Sequence, residues 1–145
     1  IFARSKHAQL KMTEQWNEVE LNYYAILQNP LKHKNETFIF ESEEKNIKVS
    51  YNFIEALNYF DTTCSLISVS GLGFSSIECR KAFAQKGNPI VADLTYGAKE
   101  FVNNYLKLCL NTIKFRHPFT QKSIKITMNP PKGFNVINPP YKKTK

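Results

Sequence analysis

The sequence predicts a mainly α-helical fold, namely a compact bundle of three longer helices and one short helix, followed by an extended, basic C-terminal tail. Two observations favour the bundle: apolar residues recur at steps of three and four along residues 5–28, 49–67 and 91–113, and the prolines lie outside these stretches. A third observation predicts the tail, because the excess of basic residues lies at the C-terminal end. At 145 residues and 42% hydrophobic content, the chain can form one core.

The first predicted helix covers residues 5–28 and ends before Pro30. Proline disfavours the α conformation of the residue before it, so Asn29 should leave the helix. The apolar side of this helix would consist of Leu10, Trp16, Val19, Tyr23, Ile26 and Leu27.

The second predicted helix starts near Ser42, where a hydroxyl N-cap is followed by two glutamates that suit the positive end of the helix dipole. Its apolar stripe consists of Val49, Phe53, Leu57, Phe60, Cys64 and Ile67. The alternative is an α+β fold with a hairpin at residues 37–53, because apolar and polar residues also alternate from Ile47 to Phe53. The alternation fails past Ile54 whereas the helical stripe continues, so we expect the helix.

Two further helices and one strand are predicted in the rest of the chain. A short helix capped by Ser75 or Ser76 would end near Gly87. A long helix would cover residues 91–113, and apolar residues alternate over residues 122–128, as is typical of a short strand.

The formal net charge of +8 has its source in the last 32 residues. Residues 1–113 contain 12 basic and 12 acidic side chains, whereas residues 114–145 contain eight basic side chains and no acid. Five of the seven prolines also lie after residue 117 and should keep the backbone extended there. We therefore divide the chain into a helical body, residues 1–117, and a basic, proline-containing extended tail, residues 118–145.

The start of the chain predicts a location. It begins with Ile1 instead of methionine, and four basic or histidine side chains precede the first acid at Glu14, which is typical of organellar targeting segments. These features predict a mitochondrial protein. Cytoplasmic and secreted locations are the alternatives, and the sequon Asn35-Glu36-Thr37 would suit secretion.

The sequence contains no motif that indicates catalysis. Cys64, Cys79 and Cys109 fall one to each of the last three predicted helices, where free cysteine packs as a small apolar residue. No close pair of cysteines or histidines has the spacing of a zinc site, and the glycine-containing loop at residues 70–76 lacks the lysine of a phosphate-binding loop. We therefore predict no enzyme, no cofactor, no metal site and no small-molecule substrate.

The basic tail carries the predicted function. We expect a non-enzymatic accessory or structural subunit of a multi-subunit complex, which binds other protein subunits through this tail. The alternatives are an RNA-binding protein of a ribonucleoprotein such as an organellar ribosome, and a secreted helical ligand; an anionic lipid surface is a further candidate partner. Aromatic and arginine side chains would anchor the partner and lysines would steer it. The predicted partner-binding residues are Arg116, Phe134, Tyr141, Lys142, Lys143 and Lys145.

Overall fold

The computed structural model describes residues 5–59, 62–99 and 105–137, and these form an antiparallel β-sheet with two short α-helices. In chain order the elements are α1 (Lys6–Glu14), β1 (Glu20–Gln28), β2 (Asn35–Glu41), β3 (Asn46–Tyr59), β4 (Thr62–Leu72), α2 (Ser76–Gln85), β5 (Leu108–Arg116) and β6 (Ser123–Thr127). Single turns of 3₁₀ helix cover Trp16–Glu18 and Leu94–Tyr96.

The six strands of the described residues lie in the order β2-β3-β4-β1-β5-β6, and every neighbouring pair is antiparallel. Strand β1 lies inside the sheet, where Tyr23 is opposite Val69 of β4 and Leu110 of β5. A register shift between Asn22 and Tyr23 changes the pairing of β1 with β5, and another follows Phe53 in β3. Both interrupt regular pairing and so change which side chains share a face.

One face of the sheet, here called the helix face, packs against α2. Side chains alternate between the two faces of a strand, so Leu21, Tyr23 and Leu27 of β1 all point toward this side, and each is buried. From α2, Phe83 is fully buried, with its ring 5.7 Å from that of Tyr51 in an edge-to-face arrangement. The largest part of the apolar core therefore lies between α2 and the sheet.

The opposite face, here called the back face, is covered in part by the segment that follows β6. Phe134 and Ile137 from this segment pack with Ile26 of β1 and Cys64 of β4. The Lys107 ammonium lies 5.9 Å from the centre of the Phe134 ring, and burial lowers the pKa of this lysine. Strand β1 is thus enclosed on both of its faces.

Local sequence explains where α2 begins. The Ser75 hydroxyl accepts a hydrogen bond from the Glu78 backbone N–H at 3.2 Å, and the Glu78 carboxylate accepts one from the Ser75 N–H at 3.0 Å. This reciprocal capping box satisfies two donors that a helix start leaves unpaired. The short helix predicted from Ser75 or Ser76 is present, and the strand predicted over residues 122–128 corresponds to β6.

The predicted helical bundle is wrong, because the described residues form mainly an antiparallel sheet. Most of residues 19–28, 46–59 and 62–72, which we assigned to long helices or their connections, are strands. The error has a physical cause: residues four apart lie on one side of a helix, but they also lie on one side of a strand. Tyr23 and Leu27 of β1, together with Val19 just before the strand, are therefore buried on one face of the sheet.

The predicted last helix over residues 91–113 is also wrong in the described part, where it is replaced by a 3₁₀ turn and β5. The hairpin considered as the alternative at residues 37–53 corresponds to paired β2 and β3. The division at residue 117 stays a prediction, although β6 pairs with β5 and residues 134 and 137 pack on the sheet. Neither described helix has the length and hydropathy needed to cross a bilayer.

Gly73 generates a test of this packing. It has φ +58°, and an added Cβ would lie 3.0 Å from the Asn17 Cα and 2.9 Å from the Lys45 ammonium. Gly133 also has positive φ, at +78°, but open space surrounds it. We expect Gly133→Ala to lower the unfolding free energy by about 1 kcal/mol through backbone strain, and Gly73→Ala to lower it by about 2–3 kcal/mol because the clash is added.

Urea unfolding followed by circular dichroism measures both glycine variants. Equal losses of unfolding free energy for the two would contradict the close contact of Gly73 with residues 17 and 45.

Candidate functional site

A broad groove lies on the helix face of the described residues. It has a volume of about 1170 Å³ and lies between α1, the start of α2, and strands β1, β5 and β6. Its floor is apolar and includes Leu21, Leu108, Leu110 and Ile113. Concave apolar surfaces with few polar groups are typical of ligand sites, so this groove is the candidate functional site.

One wall of the groove comes from α1 and the turn that follows it, and the opposite wall comes from β6. Met12 of α1 and Trp16 of the 3₁₀ turn that follows it form one wall, and both are half-buried against the core. At the opposite side, Ile126 of β6 and Met128 just after it are 39% and 38% exposed. The floor therefore continues into an apolar rim at the edge of the sheet.

Arg80 is the charged side chain in the lining of this groove, and its position is set by a buried carboxylate. Its Nε donates to Asp93 Oδ2 at 3.0 Å, and its Nη2 donates to Asp93 Oδ1 at 2.9 Å. The Asp93 side chain is fully buried, whereas that of Arg80 is 24% exposed. Two parallel bonds fix the plane of the guanidinium, and Asp93 raises the pKa of Arg80.

Tyr96 also orients the arginine, with the guanidinium carbon 5.0 Å from the centre of its ring. Ser76 lies four residues before Arg80 on α2, so both side chains share one side of the helix. The positive end of the α2 dipole is at the same place. Donors and positive charge therefore meet at the α2 end of the apolar groove.

The described lining residues are suited to binding more than to proton transfer. Asp93 is committed to Arg80, and the Tyr23 hydroxyl donates to the Phe74 carbonyl at 2.6 Å. Burial raises the pKa of Tyr23 and of the nearby Cys79 thiol, so both stay protonated at neutral pH. Within the parts of the chain that the structure describes, no cluster of side chains could hold a metal ion.

The predicted partner-binding residues lie outside the groove. Arg116 is exposed at the end of β5, and its carbonyl accepts a hydrogen bond from Gln15 Nε2 at 2.7 Å. Phe134 is buried on the back face. Tyr141, Lys142, Lys143 and Lys145 lie outside the described residues. Their role in binding a partner stays a prediction.

The three cysteines are free thiols, and Cys64 and Cys79 are fully buried. Burial raises the pKa of Cys64 to about 11 and also raises that of the half-buried Cys109. All three cysteines pack against apolar residues of the core.

Sequence reasoning missed Arg80 and Asp93, although a signal for them was present. Asp93 follows the apolar run Ile90-Val91-Ala92 and is the only acid between residues 79 and 99. A carboxylate in a buried segment requires a compensating partner, and Arg80 is a basic residue on a short capped helix nearby in the chain. Their pairing was therefore a possible inference from the sequence.

Comparisons with known proteins identify the fold. The sequence matches no family model, and no curated protein is similar to it in sequence. Human RNA Pseudouridylate Synthase Domain Containing 1 is similar in structure, with a TM-score of 0.71 and 17% identity over 89% of this chain. Human RNA Pseudouridylate Synthase Domain Containing 4 has a TM-score of 0.64 and 12% identity over 87% of this chain. The chain spans 62% and 63% of the lengths of these two structures.

These likenesses correct the predicted function. We predicted a non-enzymatic accessory subunit, and that prediction depended on a helical bundle with a docking tail. The fold is instead one found in RNA pseudouridylate synthase domain proteins. The prediction of a non-enzymatic helical subunit is therefore wrong.

The Arg80–Asp93 pair generates a stability prediction. Asp93→Asn removes the buried carboxylate and leaves the guanidinium without its counter-charge, so we expect the unfolding free energy to fall by about 3 kcal/mol. Glu20→Gln is the matched control, because the Lys114–Glu20 pair spans 3.8 Å between side chains that are nearly half exposed. Its loss should be below about 1 kcal/mol.

Urea unfolding of both carboxylate variants provides the measurement. A loss for Asp93→Asn as small as that for Glu20→Gln would contradict the role of Asp93 in holding α2 and Arg80.

Proposed function

We propose that this chain is an RNA-binding part of an RNA-modifying enzyme of the pseudouridylate synthase kind, and that the groove accepts a nucleotide of the RNA. The observation that carries the proposal is the fixed Arg80 guanidinium at one end of a large apolar groove. The fold supports it, because the structures it resembles are named as RNA pseudouridylate synthase domain proteins.

The chemistry of the groove matches a nucleotide in two respects. A base has apolar faces that pack on aliphatic and aromatic side chains, such as those of Leu108 and Trp16. A phosphate or a base carbonyl accepts hydrogen bonds, and the Nη1 group of Arg80 takes part in neither bond to Asp93. A guanidinium held in one orientation binds with less loss of conformational entropy than a free one.

The size of the groove favours a strand over a free nucleotide. Pockets for single small molecules commonly have volumes of about 300–1,000 Å³. The groove has a volume of about 1170 Å³ and is open toward the β6 edge of the sheet. A nucleotide inserted from an RNA strand could therefore enter with its neighbours still attached.

The charge of the chain is consistent with this ligand. The formal net charge of +8 favours association with a polyanion, since cationic side chains release counterions when they contact phosphates. We assign to the described groove residues the binding and orientation of RNA. The mitochondrial location stays a prediction.

Fluorescence of the single tryptophan tests the proposal. Trp16 lines the groove, so a base that enters it should change the emission of this residue. We expect titration with a 12-nucleotide, uridine-rich single-stranded RNA to quench Trp16. Arg80→Ala should weaken binding about tenfold, because hydrogen bonds to charged groups contribute about 1.5–3 kcal/mol.

Two variants control the titration. Lys81→Ala removes one positive charge from the adjacent position of α2 and should change the dissociation constant less than twofold. Arg80→Lys keeps the charge beside Asp93 but lacks the planar fork, so it should bind more weakly than the wild type. RNA binding without a change in Trp16 emission, or with unchanged affinity in Arg80→Ala, would contradict binding in the groove.

A further inference from the structure

The turn between β5 and β6 displays an aromatic ring to solvent. Phe119 is 51% exposed, at the tip of a turn formed by residues 117–122, here called the hairpin tip. Its ring is 5.5 Å from that of His7 and 6.1 Å from that of His117. The Lys11 ammonium lies 5.0 Å from the ring centre. The ring is therefore both accessible and flanked by nitrogen-containing groups.

Hydrogen bonds hold the hairpin tip in one conformation. The backbone N–H groups of Phe119 and Thr120 both donate to His117 Nδ1 at 3.2 Å. The His117 N–H donates to the Lys122 carbonyl at 2.8 Å, and the Gln121 N–H donates to the His117 carbonyl at 3.0 Å. The exposure of Phe119 is thus built into the turn, and little conformational entropy remains to be lost when a ligand packs on the ring.

Other described aromatic residues of the basic C-terminal region, residues 114–145, are less available. Phe115 is half-buried under the helix face, and Phe134 is 4% exposed. Tyr105 is 47% exposed, with the Lys107 ammonium 4.1 Å from its ring centre, but it precedes this region. Among the described aromatic rings of this region, Phe119 offers the most accessible surface for stacking.

Positive charge and position connect the hairpin tip to the groove. Within the described residues, Lys11 and Lys122 form no ion pair, and no acid follows Asp93 in the described chain. Helix α1 contributes Met12 to the groove wall, and it contributes His7 and Lys11 to the contacts with Phe119. The groove and the hairpin tip are therefore on two sides of the same short helix.

We propose that the hairpin tip is a second RNA contact, in which Phe119 stacks on an unpaired base of the same strand whose nucleotide lies in the groove, while Lys11 and Lys122 bind the backbone phosphates. This inference rests on the proposed function. Stacking on an aromatic ring requires a base whose face is free, so the partner is single-stranded RNA or an RNA loop. Because every base has such a face, this contact adds affinity with little sequence preference.

Fluorescence anisotropy with labelled RNA tests the hairpin tip. The probes are the 12-nucleotide single-stranded RNA and a 12-base-pair RNA duplex. We expect Phe119→Ala to weaken single-strand binding about tenfold and duplex binding less than twofold, because a stacked base contributes about 1–3 kcal/mol. Phe119→Trp should restore single-strand affinity to within twofold of the wild type.

Two controls separate stacking from loss of structure. Phe119→Leu keeps an apolar contact with α1 but has no aromatic face, so it should bind RNA as weakly as Phe119→Ala. Ile39→Ala removes an apolar side chain of similar exposure, 58% exposed on β2, and should leave affinity unchanged. Circular dichroism and the midpoint of thermal unfolding verify that each variant is folded.

The outcomes distinguish this inference from the proposed function. Quenching of Trp16 by RNA, together with unchanged affinity in Phe119→Ala, would contradict the proposed contact at the hairpin tip and would still support RNA binding in the groove. Wild-type affinity in Phe119→Leu would also overturn stacking. Absence of RNA binding by the wild-type protein would overturn both proposals, as would Phe119-dependent binding to vesicles of anionic lipid in place of RNA.

Discussion

The burial of β1 on both of its faces is the constraint on which the rest of the structure depends. On the helix face, Tyr23 and Leu27 are covered by the core that α2 completes, and on the back face Ile26 is covered by Phe134 and Ile137. A strand in this position needs a layer on each side, because its apolar side chains point alternately to both. The segment after β6 is therefore part of the core as well as a continuation of a basic region.

The need to cover both faces of β1 also determines where the groove lies. Helix α2 covers the sheet near β3 and β1, and α1 lies at the other side of the helix face, so the floor formed by Leu108 and Leu110 stays open between them. The Arg80–Asp93 pair connects α2 to the segment that follows Ile90. Ile90 itself pairs with Leu27 at the end of β1. The charged group at the groove is thus anchored in the core, and its orientation follows from the packing of β1.

Helix α1 gives the two proposed RNA contacts a common support. Its inner side contributes to the groove, whereas His7 and Lys11 contact the hairpin tip. Gln15, just after α1, also donates to the Arg116 carbonyl at the end of β5. Because α1 contacts both regions, an RNA strand could occupy the groove and the hairpin tip without a large rearrangement of the protein.

The sequence by itself determined features that depend on neighbouring residues. The capping residues at Ser75 and Glu78 specify the start of α2, the alternation at residues 123–127 specifies β6, and the charge distribution is a property of composition. It also identified several of the apolar residues that are buried, such as Val49 and Ile67, although it placed them in a helix.

The tertiary structure alone decided between helix and strand for β1, β3 and β4, because a spacing of four residues suits one side of either element. Strand pairing links residues far apart in the chain, such as Tyr23 and Val69. The spacing of apolar residues within one segment does not show which distant segment will pair with it. The groove likewise arises only when distant elements are brought together. Local patterns specify which residues prefer burial or a cap, whereas the choice of partner depends on the free energy of the whole packed sheet.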